Sequence, residues 1–173
     1  MLRAESGGGF AWDGPVSDAL DAIAPVASEE IHPDPILQAS TVLLTAAAGV
    51  VGLVLLRRRR FREAAFLGGS IAGAVLLSSI VKELVERPPI EGGGDYSFPS
   101  GSATLSMAIT AAAVLLARSR REQRLAAIVG AAFVVIFGAV ITFEEWHYAS
   151  DVLAGWCLAL AWVAGLRLAL YRS

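Results

Sequence analysis

Cysteine is nearly absent: Cys157 is the only one in 173 residues. No internal disulfide can form, and the redox compartment leaves no mark on the sequence. Charge is scarce as well. Asp, Glu, Lys and Arg make up 17% of the chain against 55% apolar residues, and the mean hydropathy is +0.61. A soluble domain of this length needs a mostly polar surface, which this composition does not supply. The bilayer is the solvent it fits. The N-terminus has no apolar core of the kind a secretory signal carries, since Met1 to Asp13 is Gly-rich and acidic, so no cleaved leader is expected. Basic residues are missing from the first 35 positions apart from Arg3, whereas Glu5, Asp13, Asp18, Asp21, Glu29, Glu30 and Asp34 all lie there. Repeats are lacking, and low complexity is confined to GGG at 7–9 and 92–94.

What is present is a set of long apolar runs. Five are near the length needed to cross about 30 Å of hydrocarbon: Ile36 to Leu56, Ala64 to Val85, Ser102 to Ala117, Leu125 to Phe143 and Val152 to Leu170. Ahead of them, Val16 to Val26 places Val16, Leu20 and Ile23 at helical spacing, which predicts a short amphipathic helix lying on the membrane. The expected fold is therefore an all-α membrane helix bundle of five transmembrane helices plus an N-terminal interfacial helix. An acidic segment covers 1–35 and the membrane-embedded domain covers 36–173. Gly69 and Gly73 form a small-xxx-small pair suited to helix packing, and Trp156 and Trp162 are read as packing or lipid-facing residues.

The net charge of -2 hides a sharp segregation. Eleven of the fourteen basic residues fall in Arg57 to Arg62, Arg118 to Arg124 and the C-terminal Arg167 and Arg172. Basic loops resist translocation, so these segments are expected in the cytoplasm, with the N-terminus outside and the C-terminus inside an integral plasma-membrane protein. The inner arginines should meet anionic headgroups. Two polar patches are left on the outer side, Glu86 to Ser102 (ERPPIEGGGDYSFPSGS) and Glu144 to Asp151 (EEWHYASD). Far apart in sequence, they emerge on one face of a small bundle and can meet.

Each patch carries residue types that bind or attack phosphate. Lys82 ends the second span and Arg87 precedes Pro88 and Pro89, a turn that cannot be helical; both could serve phosphate or simply fix the helix end among headgroups. Ser100, Gly101 and Ser102 open the third span, where free N–H groups and a partial positive charge suit an anion, or where Ser100 is an ordinary cap. His147 and Asp151, four residues apart, share one face of a helix start. A carboxylate on one imidazole nitrogen leaves the other as nucleophile or base, although an interfacial His that caps a helix has the same appearance.

Taken together, Lys82 with Arg87-Pro88, then Pro99-Ser100-Gly101, then the run HYASDVLAG from His147 to Gly155 resemble the type 2 phosphatidic acid phosphatase superfamily, the integral-membrane lipid phosphate phosphatases. The resemblance covers about Lys82 to Gly155. It implies that His147 attacks phosphorus to give a phosphohistidine, that Asp151 orients it, and that Lys82, Arg87, Ser100 and Gly101 hold the phosphate. It also implies departures. In the family pattern KxxxxxxRP, Pro89 and Ile90 stand where Arg and Pro belong. In PSGH the His that protonates the leaving group is Ser102, and in SRxxxxxHxxxD the Ser and Arg are Val140 and Ile141. The family's usual six spans are reduced by one.

The expected function is hydrolysis of a lipid phosphate or diphosphate at the outer face, a polyprenyl diphosphate for example. The alternative is a silent relative that binds lipid phosphate or a partner membrane protein. Fewer cations weaken transition-state stabilisation, and Glu86, Glu91, Asp95, Glu144 and Glu145 are expected to add repulsive charge. No resident cofactor is expected, but Glu144, Glu145, Glu91 and Asp95 would suit a divalent cation that offsets the missing arginines. Expected partners are the lipid substrate and membrane lipids, with no nucleic acid, and with room left for a homo-oligomer or a partner membrane protein.

Overall fold

A computed structural model describes residues 9–23, 34–90, 96–144 and 146–171, and among them every regular element is helical. The helices are α1 (Asp13–Ile23), α2 (Asp34–Arg57), α3 (Phe61–Val85), α4 (Gly101–Leu116), α5 (Arg120–Phe143) and α6 (Ala149–Tyr171). Four of them, α2, α3, α5 and α6, are long and apolar enough to cross a membrane, whereas α4 has 16 residues and is apolar but shorter.

The boundaries follow local chemistry. Helix α5 starts five residues before the expected Leu125, because Ser119 and Glu122 form a capping box: the Ser119 hydroxyl accepts from Glu122 N at 3.1 Å while Glu122 Oε2 accepts from Ser119 N at 3.1 Å and Arg118 N at 2.9 Å. Two free donors at the helix start are satisfied reciprocally, so the basic loop becomes the first turn. Helix α3 ends where Glu86 turns left-handed (φ 52°) and Arg87-Pro88-Pro89 follows, since proline cannot continue a helix. Helix α1 starts three residues before the expected Val16, at Asp13. Its expected final residues, Ala24 to Val26, lie outside the described residues.

Helix α4 is the centre of the bundle and touches α2, α3, α5 and α6. Its buried residues, Ala103, Thr104, Ser106, Ala108, Ile109 and Ala112, are mostly small, which lets neighbouring backbones approach closely. Gly130 of α5 faces Thr110, where a Cβ would fall 2.3 Å from the threonine methyl. Counting turns from that crossing, at 1.5 Å per residue, α4 begins about 6 Å short of the end of α5. One apolar cluster (Leu55, Phe66, Leu67, Ala74, Ala108, Ala112, Ala159, Val163) fills the middle of the bundle, and a second (Ala103, Phe137, Ile141, Val152) lies under the polar patches.

Large apolar side chains are exposed on the outer helices, among them Leu43 (68%), Leu76 (61%), Ile128 (69%) and Leu168 (56%). Contiguous exposure of this kind is untenable in water and natural in lipid. The small-residue reading of Gly69 and Gly73 takes a specific form: Trp162 Nε1 donates to Gly69 O at 2.9 Å, and a Cβ on Gly73 would lie 2.2 Å from the indole. Trp162 is thus a packing residue wedged against α3. At the opposite end from the polar patches, Arg62 donates to Leu170 O, and the Arg62 and Arg167 guanidinium groups lie 4.4 and 3.7 Å from the Tyr171 ring centre.

Candidate active site

The two polar patches meet at one end of the bundle, beside the N-terminus of α4. Ser100 caps that helix through its hydroxyl, which accepts from Ala103 N at 3.3 Å, and Ser100 N donates to Asp151 O at 3.0 Å. The second bond ties the start of α4 to the start of α6. The two helices can cross this closely because residue 155 is glycine: a Cβ there would lie 2.7 Å from Thr104 Oγ1 and 2.8 Å from the Ser100 carbonyl. Gly155→Ala is therefore expected to push α6 away from α4, costing about 1–3 kcal/mol as an overpacked contact. Thermal unfolding in detergent checks this, and an unchanged midpoint would remove the close approach as the reason for glycine here.

A cavity of about 630 Å³ opens at this junction, and Lys82, Gly101, Ser102 and His147 all line it, together with Ser78, Ser97, Tyr96 and Trp146. Four of the seven sequence-predicted site residues thus share one space. Gly101 and Ser102 belong to the first turn of α4, whose N–H groups have no acceptor within the helix. Ser78 and Ser97 carry buried hydroxyls without a hydrogen-bond partner, and both face a space in which a ligand could supply one. Among the described lining residues Lys82 is the only Lys or Arg, and none is Asp or Glu. Lys82 Nζ also donates to Tyr96 O, so its ammonium is held at the rim of the cavity.

The expected ring of repulsive carboxylates is thus not found at the described lining. Glu86 is exposed, Glu144 caps α5, and Glu91, Asp95 and Glu145 lie outside the described residues, as does most of the acidic set that would suit a divalent cation.

The other three site residues, Arg87, Ser100 and Asp151, form the wall behind His147. Asp151 is fully buried, and its Oδ2 lies 3.6 Å from His147 Nδ1 and accepts from Tyr148 N at 3.1 Å. Its Oδ1 accepts from Arg87 Nη1 at 2.5 Å, and the same nitrogen donates to Ser150 Oγ at 2.8 Å. The guanidinium is 9% exposed and sits within 4.8 to 5.6 Å of the ring centres of Phe98, Phe10 and Tyr148. Arg87 is therefore placed on the carboxylate that faces the imidazole and not among the residues lining the cavity. Ile141, at the position of the family's second arginine, is fully buried in the apolar cluster with Ala103, Phe137 and Val152. Pro89 and Ile90, which replace the first motif's Arg and Pro, line the cavity.

A family model described as the PAP2 superfamily matches residues 63–173. The chain belongs to the PAP2 superfamily. A solved structure described as the first transmembrane PAP2 type phosphatidylglycerolphosphate phosphatase, from Bacillus subtilis, is similar in fold, with a TM-score of 0.67 at 20% identity over 88% of this chain and 85% of that one. No curated protein matches the sequence. Membership of the PAP2 superfamily supports an integral-membrane lipid phosphate phosphatase, and the matched residues 63–173 include all seven predicted site residues.

Two site features of this PAP2 protein escape sequence reasoning. Ser150, inside the HYASD run, turns out to bridge Arg87 to the N-terminal segment, and Asp13, on that segment, is buried against it. Nothing in the local sequence around Asp13 pairs it with a residue 137 positions away.

Proposed function

We propose that this PAP2 protein hydrolyses a lipid phosphate or diphosphate through a phosphohistidine on His147. The observation that carries the reading is the single cavity lined by His147, Lys82 and the first-turn residues Gly101 and Ser102. A nucleophile, a cation and helix-start N–H groups converge there on a volume that holds a phosphoryl group. With Nδ1 turned toward Asp151, Nε2 is the attacking atom. Its lone pair forms the N–P bond as the bond from phosphorus to the leaving oxygen breaks. Lys82 and the Gly101 and Ser102 N–H groups balance charge on the phosphoryl oxygens, and Asp151 stabilises the imidazolium. Water then attacks the phosphohistidine, the P–N bond breaks and inorganic phosphate leaves. The 3.6 Å gap between Nδ1 and Oδ2 is wide for a hydrogen bond, as catalytic contacts often are before substrate binds.

Substrate choice follows from Ser102. Proton donation to a leaving group contributes on the order of 10²–10⁴ in rate, and serine is a poor donor. An alkoxide leaving from a monoester needs that proton, whereas phosphate leaving from a diphosphate, with a second pKa of about 6, needs it far less. A lipid diphosphate such as a polyprenyl diphosphate is therefore the preferred substrate over phosphatidate. The test is phosphate release from a panel of lipid mono- and diphosphates in detergent. Ser102→His should raise monoester turnover selectively, while faster wild-type turnover of phosphatidate than of diphosphates would remove the leaving-group argument, and no release from any member would remove the enzyme.

The proposed arrangement has five spans, with α4 as the fifth and α1 at the membrane surface. The arginine-rich end is cytoplasmic, so the site opens at the outer leaflet. The burial of Ile141 where the family carries arginine favours one other reading, a relative that binds lipid phosphate without releasing it. Saturable binding of a lipid diphosphate with no phosphate produced is the result that reading requires.

A further inference from the structure

The helix that carries Asp151 is capped from a distance. Asp13 is 4% exposed, and its carboxylate takes three hydrogen bonds: Oδ1 from Ser150 N at 2.8 Å, and Oδ2 from Ser150 Oγ at 2.8 Å and from Phe10 N at 2.7 Å. Ser150 is the second residue of α6, in the turn whose N–H groups lack intrahelical acceptors and whose positive end favours an anion. An N-terminal acid far away in sequence thus performs the service that a residue next to the helix start usually performs.

The contact does not stop at the cap. Ser150 Oγ donates to Asp13 and accepts from Arg87 Nη1, which in turn donates to Asp151 Oδ1. Hydrogen bonds run in the order Asp13, Ser150, Arg87, Asp151, and Asp151 Oδ2 then faces His147 Nδ1 at 3.6 Å. The same N-terminal segment contributes Phe10 to the rings around the guanidinium, 4.9 Å from its centre. Gly9 passes so close that a Cβ would lie 3.0 Å from the Tyr148 ring and 3.2 Å from Asp13 Oδ2. Helix α1 continues from this point along α5 and α6.

We infer that Asp13 is a positioning residue for the reaction: by holding Ser150 and Arg87 it sets the carboxylate of Asp151 against the His147 imidazole, so the N-terminal segment completes the active site. The inference rests on the phosphohistidine reading above. The fully buried Asp151 carboxylate is held on Oδ2 by Tyr148 N, and its rotation about the side-chain bonds is limited further at Oδ1. Arg87 sets that further limit, and the second carboxylate behind Ser150 stops Arg87 from moving with it. Asp13 is not among the described residues lining the cavity, and its hydrogen bonds go to Ser150 and Phe10, so its loss should alter the reacting group and leave substrate contacts in place.

Asp13→Ala is expected to lower kcat by about 10- to 100-fold, the range for partners standing behind a reacting ligand, with KM little changed. In a Ser150→Ala background the same substitution should have almost no further effect, because the link is already cut. Asp18→Ala removes an exposed acid from the same helix and should leave kcat unchanged. A readout without turnover comes from the imidazole nitrogens. The chain has two histidines, so ¹⁵N-histidine spectra can be assigned with His147→Ala, and Asp13→Ala should shift the His147 nitrogen signals while folding is retained. If wild type releases phosphate and Asp13→Ala keeps both its kcat and the His147 spectrum, the positioning role is overturned and the phosphatase stands. If wild type releases none, the phosphatase falls, and an unshifted His147 spectrum in Asp13→Ala overturns the positioning role independently.

Discussion

His147→Ala is expected to abolish phosphate release, with a fall of at least about 10³, equivalent to about 4 kcal/mol of barrier at 1.36 kcal/mol per tenfold. The size follows from how little else the cavity holds. Lys82 is the one Lys or Arg among its described lining residues, and without the imidazole neither it nor the first-turn N–H groups can form a covalent intermediate. Water would have to attack the lipid phosphate directly. Folding should be nearly untouched, because His147 Nδ1 is buried without a hydrogen-bond partner and no packing cluster depends on the ring. Loss of activity with an unchanged unfolding midpoint is therefore the signature. Rapid quenching after mixing with ³²P-labelled substrate should trap acid-labile, base-stable label on wild type and none on the variant. A variant that keeps more than a tenth of wild-type turnover would remove His147 from the chemistry.

Arg87→Ala should behave in the opposite way and fail first as a fold. It would leave the fully buried Asp151 carboxylate without its cation, and removing one partner of a buried pair costs about 3–5 kcal/mol. The three rings around the guanidinium would also lose the group they enclose. Arg87→Lys is expected to recover part of the loss, since the charge returns but a single ammonium does not reproduce a guanidinium held between three rings. Thermal unfolding in micelles measures both. If Arg87 served only to grip phosphate, Arg87→Ala would keep its unfolding midpoint and raise KM, which is the result that would overturn its structural role.

Much of the fold was legible because membrane spans announce themselves by length. Of the five expected spans, two start within two residues of helices in the structure, four start within three, and all five end within one residue. The start of α3 at Phe61 and of α5 at Arg120 came earlier than hydropathy suggested, because polar first turns are held by contacts such as the Ser119–Glu122 box and the Arg60–Glu63 pair at 2.6 Å. Hydropathy is blind to both, although S-R-R-E is readable as a capping signal. In the site, Lys82, Gly101, Ser102 and His147 could be foreseen to converge, since sidedness and helix starts are local properties.

The placement of Arg87 could not. Its neighbours in sequence are prolines and acids, and only three-dimensional packing puts it on Asp151 with Phe10, Phe98 and Tyr148 around it. Ser100 was ambiguous for the same reason, because its N–H could face a ligand or the α6 carbonyl that it meets.

The shortness of α4 reaches beyond packing. Because that helix begins about a turn short of the end of α5, the amides at its tip stand below that end and level with the start of α6, to which Ser100 N is bonded. Under the proposed function, the depth at which those amides meet a lipid phosphate depends on the thickness of the leaflet around them. Bilayers built from shorter acyl chains are then expected to bring that phosphate nearer the amides and to change turnover in reconstituted vesicles without any substitution in the site.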